Sequence, residues 1–370
     1  MPDPRILRTN RLSAVLVQLV TFFGAQTSMS FWWFFVGVGV TSFVLTALLR
    51  QYAFARSLMD IPNARSSHSV ATPRGGGLAI VIVFLLGLCI LYTQSLIGLS
   101  TFCAMALAGL VVAVIGFMDD HGHIAARWRL VGHFCAAVWM VFWLNSLDSI
   151  NLFGLSVHLG WSGAIITPIY LVWILNLYNF MDGIDGIASV EAISACAGVC
   201  LLYALDDQSG LIWAPLLLAL AVTGFLFWNF PPARIFMGDA GSGFLGIILG
   251  GITLAAASVE SKWFWVWNIM LGVFIVDATF TLLRRLVRGD KVYEAHRSHA
   301  YQYASRLYGK HLPVTLGVLL INVLWLLPLA FSIVYFDFDG AAVLTIAYAP
   351  LLLIAIKYRA GQLEHPVQNA

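Results

Sequence analysis

The sequence predicts an all-α, polytopic integral membrane protein, and three observations carry the prediction. Of 370 residues, 60% are hydrophobic and only 10% are charged, whereas a soluble domain carries about 25% charged residues. Apolar runs of about 17–22 residues recur along the chain, each long enough for a hydrocarbon core of about 30 Å. The loops between them alternate in charge. So few charges cannot clothe a globule of this size, which excludes a soluble enzyme and a disordered chain. A formal net charge of +2 leaves no basic footprint for nucleic acid.

Eleven such runs are expected to span, at about 31–49, 77–94, 100–118, 129–146, 159–177, 186–205, 210–228, 241–257, 264–283, 313–334 and 340–356. The stretch 12–24 is apolar but short and reads as interfacial, and no signal-peptide pattern precedes the first span. One side of this topology receives Arg50, Arg56, Arg65, Arg74, Arg127, Arg129, Arg234, Arg284, Arg285, Arg288, Lys291, Arg297, Arg306, Lys310, Lys357 and Arg359. The other has Lys262, with Arg5, Arg8 and Arg11 as the discordant residues. The positive-inside rule makes the first side cytoplasmic. No repeat or linker divides the chain. The expected organisation is an N-terminal extension over 1–30, one transmembrane catalytic domain over 31–357 and a cytoplasmic tail over 358–370. Cys89, Cys103, Cys135, Cys196 and Cys200 sit in apolar runs, without metal or disulfide spacing.

Acidic residues are expensive near a membrane, so their placement is informative. Asp119 and Asp120 end the third span, Asp182 and Asp185 follow the fifth, and Asp239 follows the seventh. All five fall on the cytoplasmic face, with the tract 68–77 (HSVATPRGGG), Arg127, Arg129 and the run 295–302 (AHRSHAYQ). The topology came from hydropathy and basic residues alone, so this clustering is independent of it. Carboxylates and Asn oxygens without a Cys cluster suit a hard divalent cation such as Mg²⁺, with Mn²⁺ the alternative. Arg and His supply charge-assisted donors for phosphate oxygens. Glycines at 75–77, 183, 186, 238, 241 and 243 let backbone N–H groups approach a phosphate. Together these describe phosphoryl transfer with one substrate in the bilayer.

Other motifs carry less. Gly241–Gly246 matches GxGxxG but enters a membrane span rather than following a strand. Gly246 and Gly250 form a GxxxG, read as helix packing. His296 and His299 lack the further ligands of a zinc set and read as phosphate contacts. Asp277 either pairs with a buried donor or borders the site. His133 and the tryptophan-rich 263–267 read as packing and interfacial anchoring.

The order GFMDD (116–120), NxxNxxDGxDG (176–186), NxxPxxxFMGDxGS (229–242) and a late His-rich loop resembles the polyprenyl-phosphate N-acetylhexosamine-1-phosphate transferases. That superfamily includes phospho-MurNAc-pentapeptide translocase and the initiating transferases of O-antigen and related glycans. The likeness runs from about residue 56 to 303. It implies transfer of a sugar-1-phosphate from a UDP-sugar to a polyprenyl phosphate, usually undecaprenyl phosphate, with Mg²⁺ and release of UMP. It also implies a bacterial cytoplasmic membrane, and a homodimer is compatible with it.

By motif position the resemblance places Asp119 and Asp120 near the lipid phosphate, with Asp182 among the catalytic carboxylates. Asn176 opens the Asn/Asp motif. Asp239 matches the principal metal ligand and Asn179 lies near the metal. Asp185, Asn229 and Phe236 match residues around the uridine, Phe236 stacking on the base. His296, Arg297 and His299 sit where the late loop meets the pyrophosphate. Arg127 and Arg129, between the aspartate pair and the fourth span, are expected to hold the acceptor phosphate. The late loop reads HRSH (296–299) rather than the three-histidine form of the peptidoglycan enzyme, and His123 stands where that enzyme has its basic residue. Both departures favour an O-antigen-type initiator of lipopolysaccharide synthesis. The competing reading is a transporter of ions or lipid-linked glycan, which predicts ionisable groups deep in several spans. A CDP-activated phosphotransferase fails because Ser189 ends the D-G-x-x-A-R pattern after Asp185, and a prenyl synthase fails for want of DDxxD.

Overall fold

A computed structural model describes residues 29–62, 70–122, 124–290 and 297–362. The chain is mostly helical. It runs α1 (Met29–Ala55), the two-residue strands β1 (Met59–Asp60) and β2 (Thr72–Pro73), α2 (Leu78–Thr93), α3 (Leu99–His121) and α4 (Ala126–Leu144). A hairpin of β3 (Ser149–Leu152) and β4 (Leu155–His158) follows, then α5 (Gly163–Met181), α6 (Ile187–Leu205), α7 (Trp213–Asn229) and α8 (Asp239–Val259). The last part is α9 (Lys262–Met270), α10 (Gly272–Val287), α11 (Ala300–Tyr308), α12 (Leu312–Ile321), α13 (Leu327–Phe336) and α14 (Gly340–Lys357).

Every expected span coincides with helix, but not every helix is an independent span by length and composition. Among the described residues eight helical segments are long and apolar enough to cross a membrane. The expected span 264–283 is two helices, α9 and α10, bent by 75° at Leu271. Counting that pair as one crossing gives nine. Helix α2 has 16 residues. Helix α4 carries Arg127 and Arg129 in its first turn. These two are where the count of eleven exceeds what length and apolarity support. Both hairpins were absent from the sequence expectation, because two to four residues are too few for a readable alternation.

Helix α8 is the hub. It packs most extensively against α3 and α5 and is buried on nearly every face, as a helix apolar all round must be. The GxxxG reading holds here: a Cβ at Gly246 would lie 2.6 Å from the Leu175 Cα of α5. Trp263 and Trp267 are fully buried, and Trp267 Nε1 donates to the Tyr203 hydroxyl at 2.7 Å. That part of the aromatic cluster is core, not interfacial anchor. Between α12 and α13 the helix widens to a π turn, Asn322–Leu326, a common site of local irregularity. There Asn322 Nδ2 donates to Glu191 Oε2 at 2.7 Å and to Ser194 Oγ at 2.8 Å.

Of the expected tail only its first residues, 358–362, are among the described ones, and 363–370 lie outside them. Residues 358–362 fold back on α10 and the late loop. Arg284 Nη1 donates to the Ala360 carbonyl at 3.2 Å, Arg288 Nη1 to the Gly361 carbonyl at 2.6 Å, and Gly361 N–H to the Ser298 carbonyl at 2.7 Å.

Candidate functional site

The carboxylates meet where α3, α5 and α7 end and α4, α6 and α8 begin. Adjacent residues on a helix point in different directions, so Asp119 and Asp120 take different surroundings. Asp120 turns inward and is buried. Its Oδ1 accepts the Asp239 N–H at 3.1 Å and its Oδ2 the Ala240 N–H at 3.2 Å. These are two of the donors that the start of α8 leaves without an intrahelical partner. Asp120 therefore caps a helix to which it does not belong. The approach requires glycine on both sides. A Cβ at Gly116 would lie 2.5 Å from the Asp239 carbonyl oxygen, and one at Gly238, where φ is +78°, would lie 2.7 Å from Asp120 Oδ2. The Asp120 carbonyl accepts from the Arg74 guanidinium.

Asp119 turns instead toward the start of α4. Arg129, in the first turn of α4, forms an ion pair with its Oδ2, and the Ile124 N–H donates to its Oδ1 at 3.0 Å. The same guanidinium nitrogen stands 3.4 Å from Asp239 Oδ2. Arg129 thus bridges two of the predicted site residues across two helices. Its expected companion does not join it: Arg127 is exposed, with its guanidinium 5.7 Å from the Trp128 ring. One helix turn cannot aim i and i+2 at the same neighbour.

At the end of α5, Asn179 Oδ1 accepts from Ser242 Oγ at 2.6 Å, tying the Asn/Asp motif to the first turn of α8. Asn176 instead donates to the Val172 carbonyl of its own helix, at 2.7 Å. Asp182 follows the last turn. Burial, then the facing carboxylates Asp239, Asp120 and Asp185, push its carboxyl well above the usual range. Asp185 is held by the Ala233 N–H at 3.0 Å and by His311 Nδ1 at 3.1 Å. Asn229 is a bracket, 2% exposed. Its Oδ1 accepts the Gly186 N–H and its Nδ2 donates to the Ile235 carbonyl, both at 3.0 Å. It shapes the loop around Phe236 while its own amide faces protein. The N–H groups of Gly76 and Gly77, expected to be open to phosphate, donate at 2.9 Å to the carbonyls of Phe236 and Met237. The 72–77 tract is therefore a support for the Phe236 loop.

The late loop is arranged by Asp277, which is structural. Its Oδ1 accepts the Ala300 N–H at 2.9 Å and its Oδ2 the Tyr301 N–H at 3.0 Å, capping α11 as Asp120 caps α8. His299 is 1% exposed, with Nδ1 3.4 Å from Asp277 Oδ1. The ring so enclosed lies against Tyr301, with ring centroids 5.7 Å apart. The Tyr301 hydroxyl reaches the Phe180 carbonyl at 3.0 Å, and burial, with Asp277 and Asp182, holds its phenol well above its ordinary value. Arg297 is half-buried and its carbonyl accepts from Arg306 at 3.2 Å. His68, His123 and His296 lie outside the described residues. Among the described residues no group of three or more His, Cys, Asp or Glu forms a ready metal cage.

Two residues escaped the sequence reading. His311, behind Asp185, follows the last motif and carries no spacing signal. Glu191 is fully buried in α6, a deep acid that hydropathy averaged away inside an apolar run.

Comparison with known proteins follows the same residues. The family described as glycosyl transferase family 4 matches residues 102–257. A Bacillus subtilis protein named "probable undecaprenyl-phosphate N-acetylglucosaminyl 1-phosphate transferase" is 30% identical over 301 residues, covering 80% of this chain and 81% of the relative. An undecaprenyl-phosphate alpha-N-acetylglucosaminyl 1-phosphate transferase of Thermotoga maritima is 27% identical, covering 73% and 81%. A phospho-N-acetylmuramoyl-pentapeptide-transferase of Streptococcus pneumoniae is 26% identical, covering 75% and 90%.

Proposed function

The chain belongs to glycosyl transferase family 4, and we propose that it transfers N-acetylglucosamine 1-phosphate from its UDP-linked form to undecaprenyl phosphate, releasing UMP. The observation that carries this is the meeting of Asp119, Arg129 and Asp239 over the Asp120-capped start of α8. Acid oxygens for a cation and a guanidinium for a phosphate stand on one face of a helical membrane protein. The sugar comes from the names of two relatives. We place all eleven helical segments across a bacterial inner membrane, with this face in the cytoplasm, as the basic loops direct.

The donor set fits Mg²⁺. That ion is commonly held by one or two carboxylates, with water and substrate phosphates completing its shell, so the lack of a three-acid cage among the described residues suits it. Burial first, and then the facing carboxylates Asp239, Asp120 and Asp185, raise Asp182, and the second of these causes marks a place that favours positive charge. Asp239, with the Asn179 oxygen, would hold it. The bound ion would neutralise the donor pyrophosphate as UMP leaves. This chain's residues do the remainder. Asp119 takes the residual proton of the acceptor phosphate, whose second pKa of about 6 leaves little to remove at pH 7. Arg129 balances the acceptor's charge. Phe236 stacks on uracil, and Asp185, anchored from behind, accepts from the base. Asp120 orients by holding α8 in place. Both substrates then meet in a single displacement.

The HRSH loop supports a place at the start of an O-antigen or lipopolysaccharide-type glycan, and the phospho-MurNAc relative makes a cell-wall glycan the other destination. Transport has one observation in its favour, Glu191, but its Oε2 is held in a helix contact by Asn322. The test is a panel of UDP-sugars with undecaprenyl phosphate and Mg²⁺, read as UMP release. UDP-N-acetylglucosamine should be preferred. No UMP from any donor, with lipid or ion flux instead, would reverse the ranking.

A further inference from the structure

We propose that Arg129 is the resident counter-ion of the carboxylate cluster, holding the place between Asp119 and Asp239 until a divalent cation displaces it toward the acceptor phosphate. The inference rests on the reading of Asp239 as the cation's ligand and deepens it into an exchange. Nη1 of Arg129 serves both acids at once, paired with Asp119 and 3.4 Å from Asp239. Two carboxylates brought this close repel one another, and positive charge between them relieves the repulsion. The structure supplies it from a side chain that can leave. Arg129 is 30% exposed and Asp239 is 37% exposed, while Asp119 is 13% exposed. Arg129 and Asp239 lie toward the open side and Asp119 lies beneath them.

Among the described residues the neighbouring arginines are engaged elsewhere. Arg74 is engaged by the Asp120 carbonyl, both Asp120 oxygens are committed to backbone donors of α8, and Arg127 lies out over Trp128. A guanidinium and a divalent cation on the same Asp239 oxygen repel one another, so one excludes the other. The displaced guanidinium keeps its full fork of donors, a match for phosphate oxygens. Cation binding and acceptor binding are then coupled through one side chain, and linkage makes the coupling reciprocal: each tightens the other by the same factor.

The test needs no turnover. Mn²⁺ binding to the intact, detergent-purified protein is measured without substrates from the electron paramagnetic resonance of the free ion. Arg129→Gln should bind Mn²⁺ about fivefold more tightly than the wild type, the size expected for releasing a partly exposed ion pair. Arg129→Lys should fall between them, and Arg127→Gln should match the wild type. A short-chain prenyl monophosphate should tighten Mn²⁺ binding in the wild type and leave Arg129→Gln unchanged. Unchanged or weaker Mn²⁺ binding by an Arg129→Gln protein with normal thermal unfolding would overturn the exchange while leaving the cation reading intact. No Mn²⁺ binding by either protein would overturn both.

Discussion

At the scale of single residues, the two members of the aspartate pair and their partners separate into chemistry and support. Asp239→Asn should lose about 10²–10³-fold in turnover, as expected when a charge-stabilising group is removed from a reacting centre, with thermal unfolding little changed. Asp120→Ala should lose activity and also stability, by about 1–3 kcal/mol, because two buried N–H groups of α8 lose their acceptor. Equal stability losses in the two variants would contradict the division. Arg129→Gln should impair acceptor use far more than Arg127→Gln, measured as acceptor KM. Asp182 adds a pH signature. In the unfolded chain its carboxyl ionises near the usual value of about 3.9, whereas burial and three facing carboxylates hold it higher in the fold. Between those values the unfolded state binds fewer protons, so the stability tied to neutral Asp182 is present below about pH 4 and is lost as pH rises through the folded value. Without added cation, Asp182→Asn should flatten the fall of Tm with rising pH; an unchanged slope would contradict this origin. The residue types at this site were legible in the sequence because carboxylates beside spans are costly and therefore conspicuous. Their roles were not. That Asp120 caps α8, that His299 is buried beside Asp277, and that Arg129 and not Arg127 joins Asp119 are facts of tertiary direction, which spacing along a chain does not encode.

At the scale of elements, helix positions followed from apolar length, and their interruptions did not. The break at Leu271 and the π turn at Asn322–Leu326 sit inside predominantly apolar runs, where averaged hydropathy has little contrast to register. The same averaging hid Glu191. Hydropathy also gave no sign that the first residues of the expected tail, 358–362, connect α10, α11 and Ser298, with Ala360 packed on Ala300 and Ala355 and Gly361 bonded to Ser298. The backbone there has φ +71° at Gly361, with the Arg284 Cβ and the Thr281 carbonyl each 3.0 Å from where a Cβ would stand. A chain ending at Gln362 should keep full turnover. One ending at Lys357 should lose at least about tenfold in kcat/KM, because Ser298, beside Arg297, loses its tether. Equal activity of the two truncations would show that residues 358–362 do not position the loop.

At the scale of the whole molecule, charge sorted the loops into two faces, and the structure draws Asp119 and Asp120 of α3, Asp182 after α5 and Asp239 of α8 together at one end of the helical assembly, with Arg129 of α4 beside them. The family assignment agrees with the motif order that suggested it. What composition could not show is that α8, the helix bearing Asp239, is also the hub of packing, so the proposed cation ligand opens a helix buried on nearly every face. The central claim concerns which bond of the donor breaks. It is tested most directly with UDP-N-acetylglucosamine labelled at the phosphorus bonded to the sugar, given to the purified protein with undecaprenyl phosphate and Mg²⁺. Transfer of sugar-1-phosphate predicts that the label enters the lipid product while unlabelled UMP is released, and only when the acceptor is present. Label recovered in UDP, with sugar alone passed to the lipid, would contradict the account.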